Sequence, residues 1–349
     1  MSGCRPLPRV LRRLGTIACL LALAAGCGSA QPPPPTGGVE LSPATSSAGP
    51  PATATPSPSA KGGASAGSSA RLIVRLSRLR LPTPTTRSVA FSSGSSIVLA
   101  GGLTAAGTTG TIVQIPVSGG PIATVGSLQY PVHDAAGVML AGSMLVLGGG
   151  ATTQDAWVQR VPGGGTSVLQ GRLPAPRADL GAVMVGSEAI VVGGGAGGAA
   201  DARILATTDG VHFRLVARLP VAVRYAAVAA VGGTVFVIGG AASSGDVATI
   251  QAVDVATGTA RVVGRLPMPV SHATALTIGG VVIVAGGRRA NRALDAVLSI
   301  DPTTLAVHAV ARLPQPMSDA AGVVVDHVGY LVGGEAARPL GTIVTITAS

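Results

Sequence analysis

Leu266-Pro267-Met268-Pro269-Val270-Ser271-His272-Ala273-Thr274-Ala275-Leu276-Thr277-Ile278-Gly279-Gly280-Val281-Val282-Ile283-Val284-Ala285-Gly286-Gly287 decides the fold. A Leu-Pro turn leads into an apolar stretch at 272–278. Gly279-Gly280 reverses the chain, and Val281 to Ala285 runs back to a second glycine pair. Beyond it come a loop at 288–294, a third apolar run at 296–300, the turn Asp301-Pro302-Thr303-Thr304 and a fourth run at 306–311. The next Leu-Pro pair, Leu313-Pro314, follows. Short runs split by Gly, Pro and Asp are strands, and no useful length shows helical spacing. The unit is a four-stranded antiparallel meander.

The unit recurs. Glycine pairs stand at Gly101-Gly102, Gly148-Gly149, Gly193-Gly194, Gly239-Gly240, Gly286-Gly287 and Gly333-Gly334, in steps of 47, 45, 46, 47 and 47 residues. A leucine marker at Leu81, Leu128, Leu173, Leu219, Leu266 and Leu313 keeps the same steps. Two motifs in register over six copies imply a repeat architecture, and four strands per unit of this size imply a propeller blade. The expected fold is all-β: a six-bladed β-propeller of four-stranded antiparallel blades. The last repeat supplies strands near 319–325, 328–332 and 342–347 and then stops. Arg75-Leu76-Ser77-Arg78-Leu79-Arg80-Leu81-Pro82 matches Arg214-Leu215-Val216-Ala217-Arg218-Leu219-Pro220 to within one residue of register. Residues 71–80 are therefore expected to complete the last blade and close the ring.

The glycine pair ending strand two, with the Leu-Pro turn before strand one, resembles the Kelch repeat over about residues 71–349. Aliphatic residues stand where that family carries its Tyr and Trp, and Trp157 is the single Trp. Relatives of this kind include copper-radical oxidases, which join a Tyr to a Cys; no cysteine here lies beyond Cys27. Bacterial six-bladed relatives include a sialic-acid epimerase, so the resemblance admits a carbohydrate enzyme.

The 349 residues are 47% hydrophobic but only 2% aromatic, so the core must be Val, Leu, Ile and Ala. The formal charge is +10. Its arginines are scattered and almost without aromatic neighbours, which argues against nucleic acid as a partner. Arg5, Arg9, Arg12 and Arg13 precede an apolar run at 16–25 that ends in Leu23-Ala24-Ala25-Gly26-Cys27. This resembles a bacterial lipobox. The expected organisation is a lipoprotein signal peptide at 1–26, a lipidated Cys27 heading a disordered Pro/Ser/Ala-rich tether at 27–70, and the propeller at 71–349. The expected location is the extracytoplasmic face of the cell membrane, held by lipid. Cys4 and Cys19 fall within the signal, so one mature chain forms no disulfide.

In an up-down meander the start of strand one and the end of strand two share a face, and the long loops collect there. Six residues after each leucine marker stands Arg87, Asp134, Asp179, Tyr225, His272 or Asp319. Symmetry predicts a ring of these six at the mouth of the axial channel, with His133, Arg224 and Ser271 beside it. Such a ring suits a polar ligand such as a sugar; otherwise it is a set of solvated strand ends. Arg288, Arg289 and Arg292 share one loop on that face, and Arg338 lies beside Glu335 in the next, a grouping that suits a carboxylate or phosphate. Thr207-Thr208-Asp209-Gly210-Val211-His212-Phe213 resembles the sialidase Asp-box, itself a structural turn. Arg80, Arg172, Arg218, Arg265 and Arg312, before the leucine markers, protect outer strand edges. No metal-ligand spacing and no nucleophile elbow occurs, so no metal, cofactor or catalytic residue is assigned. Three functions remain open: a binding or scaffolding module for a protein or cell-envelope glycan, a carbohydrate-active enzyme using the channel-mouth carboxylates, and a structural envelope protein.

Overall fold

The structure, a computed structural model, describes residues 72–348. Cys27, the segment 1–26 and the tether to residue 70 lie outside the described residues. Six small antiparallel sheets stand in a ring, each ordered from the axis outward. Blade 1 runs Val89–Ser93, Ser96–Ala100, Thr111–Pro116 and Ala123–Ser127. Blade 2 runs Ala136–Leu140, Ser143–Leu147, Trp157–Val161 and Val168–Arg172. Blade 3 runs Ala178–Val185, Glu188–Ala196, Arg203–Thr207 and Arg214–Arg218. Blade 4 runs Ala227–Val231, Thr234–Ile238, Thr249–Asp254 and Thr259–Arg265. Blade 5 runs Thr274–Ile278, Val281–Ala285, Arg292–Ile300 and Val307–Met317. Blade 6 takes Ala321–Val325, Val328–Val332 and Thr342–Ala348 from the end of the chain and Leu72–Arg80 from its other side. That closure is the one expected from sequence, and its register sets Leu72 opposite Ala348, Val74 opposite Ile346 and Leu76 opposite Val344.

The two sequence markers keep the same beat because they touch. The Leu128 side chain lies under Gly101, Leu173 under Gly148, Leu313 under Gly286 and Leu81 under Gly333. Four of the six glycine pairs thus receive the leucine of the following blade, the last pair receiving the first leucine, while Gly193 and Gly239 meet Val223 and Val270. Gly101 has φ +65°, and a Cβ there would stand 2.6 Å from the Val132 carbonyl oxygen. Only glycine fits that conformation and that approach. The next residue, Gly102, donates its amide to the same carbonyl at 2.8 Å, and Gly334 likewise donates to Thr85 at 3.0 Å.

The apolar core is divided into six clusters, one at each blade boundary. The cluster between blades 6 and 1 joins Tyr330, Val332 and Ile343 to Ile97, Leu99 and Ile115, with Leu81 between them. Val, Ile and Leu fill these interfaces in place of large aromatics, as the composition requires. Near the axis the first strands crowd. A Cβ on Gly137 would meet Val89 and Phe91, and one on Gly322 would meet Thr274. The arginines before the leucine markers are all exposed at the outer rim.

Three boundaries differ from expectation. The first strands of blades 5 and 6 begin at Thr274 and Ala321, two residues later than expected, because His272 and Asp319 adopt left-handed backbone that cannot join the ladder. Leu313-Pro314, expected to be a turn, lies inside the strand Val307–Met317. That strand stays paired with Arg292–Ile300, from Val307 opposite Ile300 to Met317 opposite Leu294. Removing residues 72–80 leaves the Thr342–Ala348 edge unpaired and strips Leu72, Val74 and Leu79 from two boundary clusters. The truncated chain should lose several kcal/mol, a drop of more than about 5 °C in melting temperature. Calorimetry showing an unchanged melting temperature would contradict this closure.

Candidate functional site

The residue six after each leucine marker has the same backbone in every blade. Arg87, Asp134, Asp179, Tyr225, His272 and Asp319 have φ between 54° and 62°. The amide of each donates to the carbonyl of its counterpart in the preceding blade, over 2.8 to 3.2 Å, and Arg87 completes the cycle on Asp319. A left-handed residue other than glycine costs about 1 kcal/mol or more, so six such positions are a conspicuous set to fill with large polar side chains. Those side chains converge: all six line a cavity of about 110 Å³ at the channel mouth. Below it the channel continues through a layer of Ala, Gly, Ser and Val, about 190 Å³, into a wider apolar end of about 500 Å³.

One arc of the mouth is a continuous chain of ion pairs. His133 Nε2 stands 3.6 Å from Asp134 Oδ2, which receives Arg87 Nη1 at 3.1 Å. Arg87 Nη2 reaches Glu335 Oε1 at 3.4 Å, and Glu335 in turn pairs with Arg288. Arg288 lies 3.2 Å from Asp319 Oδ2, while Asp319 Oδ1 bonds His272 Nδ1 at 2.7 Å. The His272 ring stacks on Tyr225 at 3.8 Å between centroids. Across the mouth Arg224 stands 3.3 Å from Asp179 and 5.4 Å from the Tyr225 ring centre. Two buried atoms here have no hydrogen-bond partner: the donor Arg87 Nε and the acceptor Asp319 Oδ2.

The three ring aspartates behave differently. Burial pushes Asp179 from 3.8 up to about 6, with Asp134's charge adding to it and Tyr225 and Arg224 opposing. Burial also raises Asp134, helped by the charge of Asp319 and opposed by Arg87 and His133. At Asp319 burial acts upward too, but His272, Arg87 and Arg288 outweigh it and hold the carboxyl below its ordinary value. Burial, with Asp179 and Asp134 nearby, keeps the Tyr225 hydroxyl protonated well past its usual range.

The structure brings the six ring residues together with His133 and Arg224, and it binds Arg288 to them through Asp319 and Glu335. Arg289 and Arg292 do not join. They face each other on an exposed hairpin, where Arg289 pairs with Arg292 and Arg288 with Ala293. Arg288 is turned inward onto Asp319, Glu335 and Ser318 Oγ, so the loop does not present three free guanidiniums. Thr207 to Phe213 forms the expected turn, with Asp209 Oδ1 accepting the amides of Val211 and His212.

Sequence reasoning missed the bridging role of Glu335 and did not single out Arg177, Gln159 or Gln251. Glu335 bridges two arginines from different blades, which spacing in the chain does not reveal. Arg177 is 1% exposed and bonds the Gly193 and Arg203 carbonyls and Asp201. It occupies the position held by Val132, Val223, Val270 and Met317 in other blades, and that break in the pattern was its signal. Gln159 and Gln251, fully buried, clamp the turn backbones at Tyr130 and Val221. A separate cavity of about 100 Å³, lined largely by threonines between blades 6 and 1, includes no charged side chain.

No protein-family model matches the chain, and no curated protein does. Solved structures do match. The structure of YjhT aligns with a TM-score of 0.67 at 15% identity, covering 77% of this chain and 97% of that one. Identity this low speaks for the shared propeller fold alone.

The elevated Asp179 carboxyl has a measurable consequence. The folded chain holds this proton more tightly than the unfolded chain, so the cost of ionising Asp179 is absent below about pH 4 and grows as pH rises through about 6. An Asp179→Asn variant should match the parent near pH 4 and exceed it by about 1–3 kcal/mol above pH 6 in denaturant unfolding. A stability difference that stays constant with pH would refute the assignment.

Proposed function

We propose that this chain is an exported, lipid-anchored propeller of Kelch type that binds a polyhydroxyl ligand, a cell-envelope glycan, at the channel mouth. Anchoring rests on the lipobox at Cys27 and on the Pro/Ser/Ala-rich tether behind it. The Kelch assignment rests on the glycine pairs and the leucine turns.

The mouth carries the functional reading through one observation. Six left-handed positions, where glycine would be the least strained residue, hold hydrogen-bonding side chains directed at one cavity. Arg87 Nε–H has no hydrogen-bond partner, and in the neighbouring blade Asp319 Oδ2 is met only by Arg288, in an ion pair at 3.2 Å. A hydroxyl group both accepts and donates, so a sugar hydroxyl can serve the free Arg87 Nε–H donor and a neighbouring carboxylate together. The His272–Tyr225 stack gives the cavity a flat wall of the kind sugars pack against.

A second reading, a carbohydrate-active enzyme, has its own support. Asp179, raised to about 6 beside the protonated Tyr225 hydroxyl, is poised to exchange a proton near neutral pH. Asp179 too faces an arginine, Arg224 at 3.3 Å, and the other carboxylates are committed to ion pairs, which favours binding as the primary role.

A glycan array probed with the tagged chain should return a defined carbohydrate. Asp179→Ala and Tyr225→Ala should each weaken that ligand at least tenfold, about 1.4 kcal/mol, without lowering the melting temperature below that needed for folding. Equal affinity in both variants would remove the mouth as the site. Turnover of the bound glycan by the parent, lost in Asp179→Ala, would promote the enzymatic reading.

A further inference from the structure

The repeat gives each blade a niche between the turn that follows the leucine marker and the start of the third strand, and the blades fill it differently. Glutamine fills it in blades 2 and 4. Gln159 Oε1 accepts the Tyr130 amide at 3.0 Å, and Gln159 Nε2 donates to the Tyr130 carbonyl at 2.9 Å. Gln251 holds Val221 in the same clamp, at 2.9 and 3.0 Å. Tyr130 and Val221 each stand two residues after a leucine marker. In blade 6 that residue is itself a glutamine, Gln315, whose Nε2 donates to Thr342 Oγ1 at 3.0 Å. In blade 3 the Arg177 guanidinium enters and takes the Gly193 and Arg203 carbonyls.

Blade 1 has neither glutamine nor arginine at these places. Val113 stands where Gln159 and Gln251 stand. It pairs with Leu99, two residues before the glycine pair, as they pair with Val146 and Val237. Its side chain lacks the carboxamide, and the threonine-lined cavity of about 100 Å³ lies there. Thr83, two residues after Leu81, offers the turn backbone that glutamine clamps in blades 2 and 4. Its carbonyl receives the Thr85 hydroxyl at 2.8 Å and keeps a second lone pair. The Thr109 and Thr111 hydroxyls bond each other at 2.9 Å and either can be the donor, so the pair can accept or donate. Thr83, Thr111 and Thr124 are exposed, so the cavity opens to solvent. The blade 5 niche differs: about 50 Å³, it is lined by aliphatic side chains and Met268, with no hydroxyl or amide side chain.

From this comparison between blades we infer that the blade 1 niche binds an uncharged carboxamide group of a ligand, seated where Gln159 places its own in blade 2. An amide presents an acceptor and two donors, which the Thr83 backbone and the Thr109–Thr111 pair complement. Its alkyl part meets Leu99, Val113 and threonine methyls and buries apolar surface there. No charged side chain lines the cavity, so an ionised group would shed water without gaining a counter-ion. The site is separate from the channel mouth and shares no lining residue with it.

Nuclear magnetic resonance titration of the full chain, labelled at threonine methyls, tests this with propionamide, the glutamine side chain as a free molecule. Propionate puts a charge in the same shape, and butanone keeps the carbonyl without the donors. Propionamide should shift Thr109 and Thr111 with a Kd in the millimolar range, as its size allows, and about tenfold more tightly than either analogue. Val113→Gln supplies the amide from within, so it should abolish this binding and raise the melting temperature by about 2 °C. Thr111→Val, at an exposed position, should fold like the parent and weaken binding about fivefold, and it decides the matter if Val113→Gln does not fold. Gly-Gln-Gly carries the same group on a peptide: tighter binding than propionamide assigns the niche to a peptide partner, weaker binding to a free small amide. Propionate or butanone equal to propionamide, shifts confined to the mouth, or parent affinity in folded Val113→Gln or in Thr111→Val would overturn the inference. So would no binding of propionamide at tens of millimolar.

Discussion

Six amide-to-carbonyl hydrogen bonds, each crossing from one blade to the next, tie the first strands into a cycle around the axis. A strand in regular β conformation cannot make this bond, because its amide is directed along its own sheet. The left-handed residue before each strand turns the amide toward the neighbouring blade. This one backbone requirement recurs at the axial end of every first strand, just before it in five blades and one residue inside it, at Asp179, in blade 3. It also sets the direction in which six side chains project. Fold and site thus share a cause: the residues that close the inner ring are the residues that line the cavity.

A second set of contacts acts further out. Each glycine pair admits a carbonyl from the following blade, four of the six also cover that blade's leucine, and the boundary clusters then fill with branched aliphatics. Because each boundary repeats the same contacts, no blade depends on distant ones except through closure. Closure comes from Leu72–Arg80 lying against Thr342–Ala348 and from Leu81 seated beneath Gly333. Buried polar residues are exceptions within this plan. Arg177 replaces an aliphatic plug with a guanidinium satisfied by two carbonyls and Asp201. Its Nε remains without a partner, so the substitution brings hydrogen bonds to the boundary but not complete ones.

Much of this was legible in the chain because repetition is legible. The glycine and leucine markers alone carry the blade count, the closure and the identity of the ring position. Individual strand ends were harder. His272 and Asp319 look like the start of a strand in an apolar run, and only their left-handed backbone removes them from it. Side-chain partnerships were less legible still. Arg288, Arg289 and Arg292 look equivalent in sequence, yet one turns inward to Glu335 and Asp319 while two stay in solvent. Asp134 and Asp179 are 45 positions apart, and their repulsion exists only because adjacent blades are adjacent around a circle. Linear spacing predicts which residues share a ring; it does not predict which arginine pairs with which carboxylate.

The inner cycle can be examined bond by bond through native-state hydrogen exchange at the amides of Arg87, Asp134, Asp179, Tyr225, His272 and Asp319. If the cycle is the cooperative centre of the propeller, all six exchange only through global opening, with one common free energy equal to that of unfolding. If the amides of one or two blades exchange at markedly lower free energy while the others remain protected, the blades open singly. The inner cycle is then not what holds the ring together.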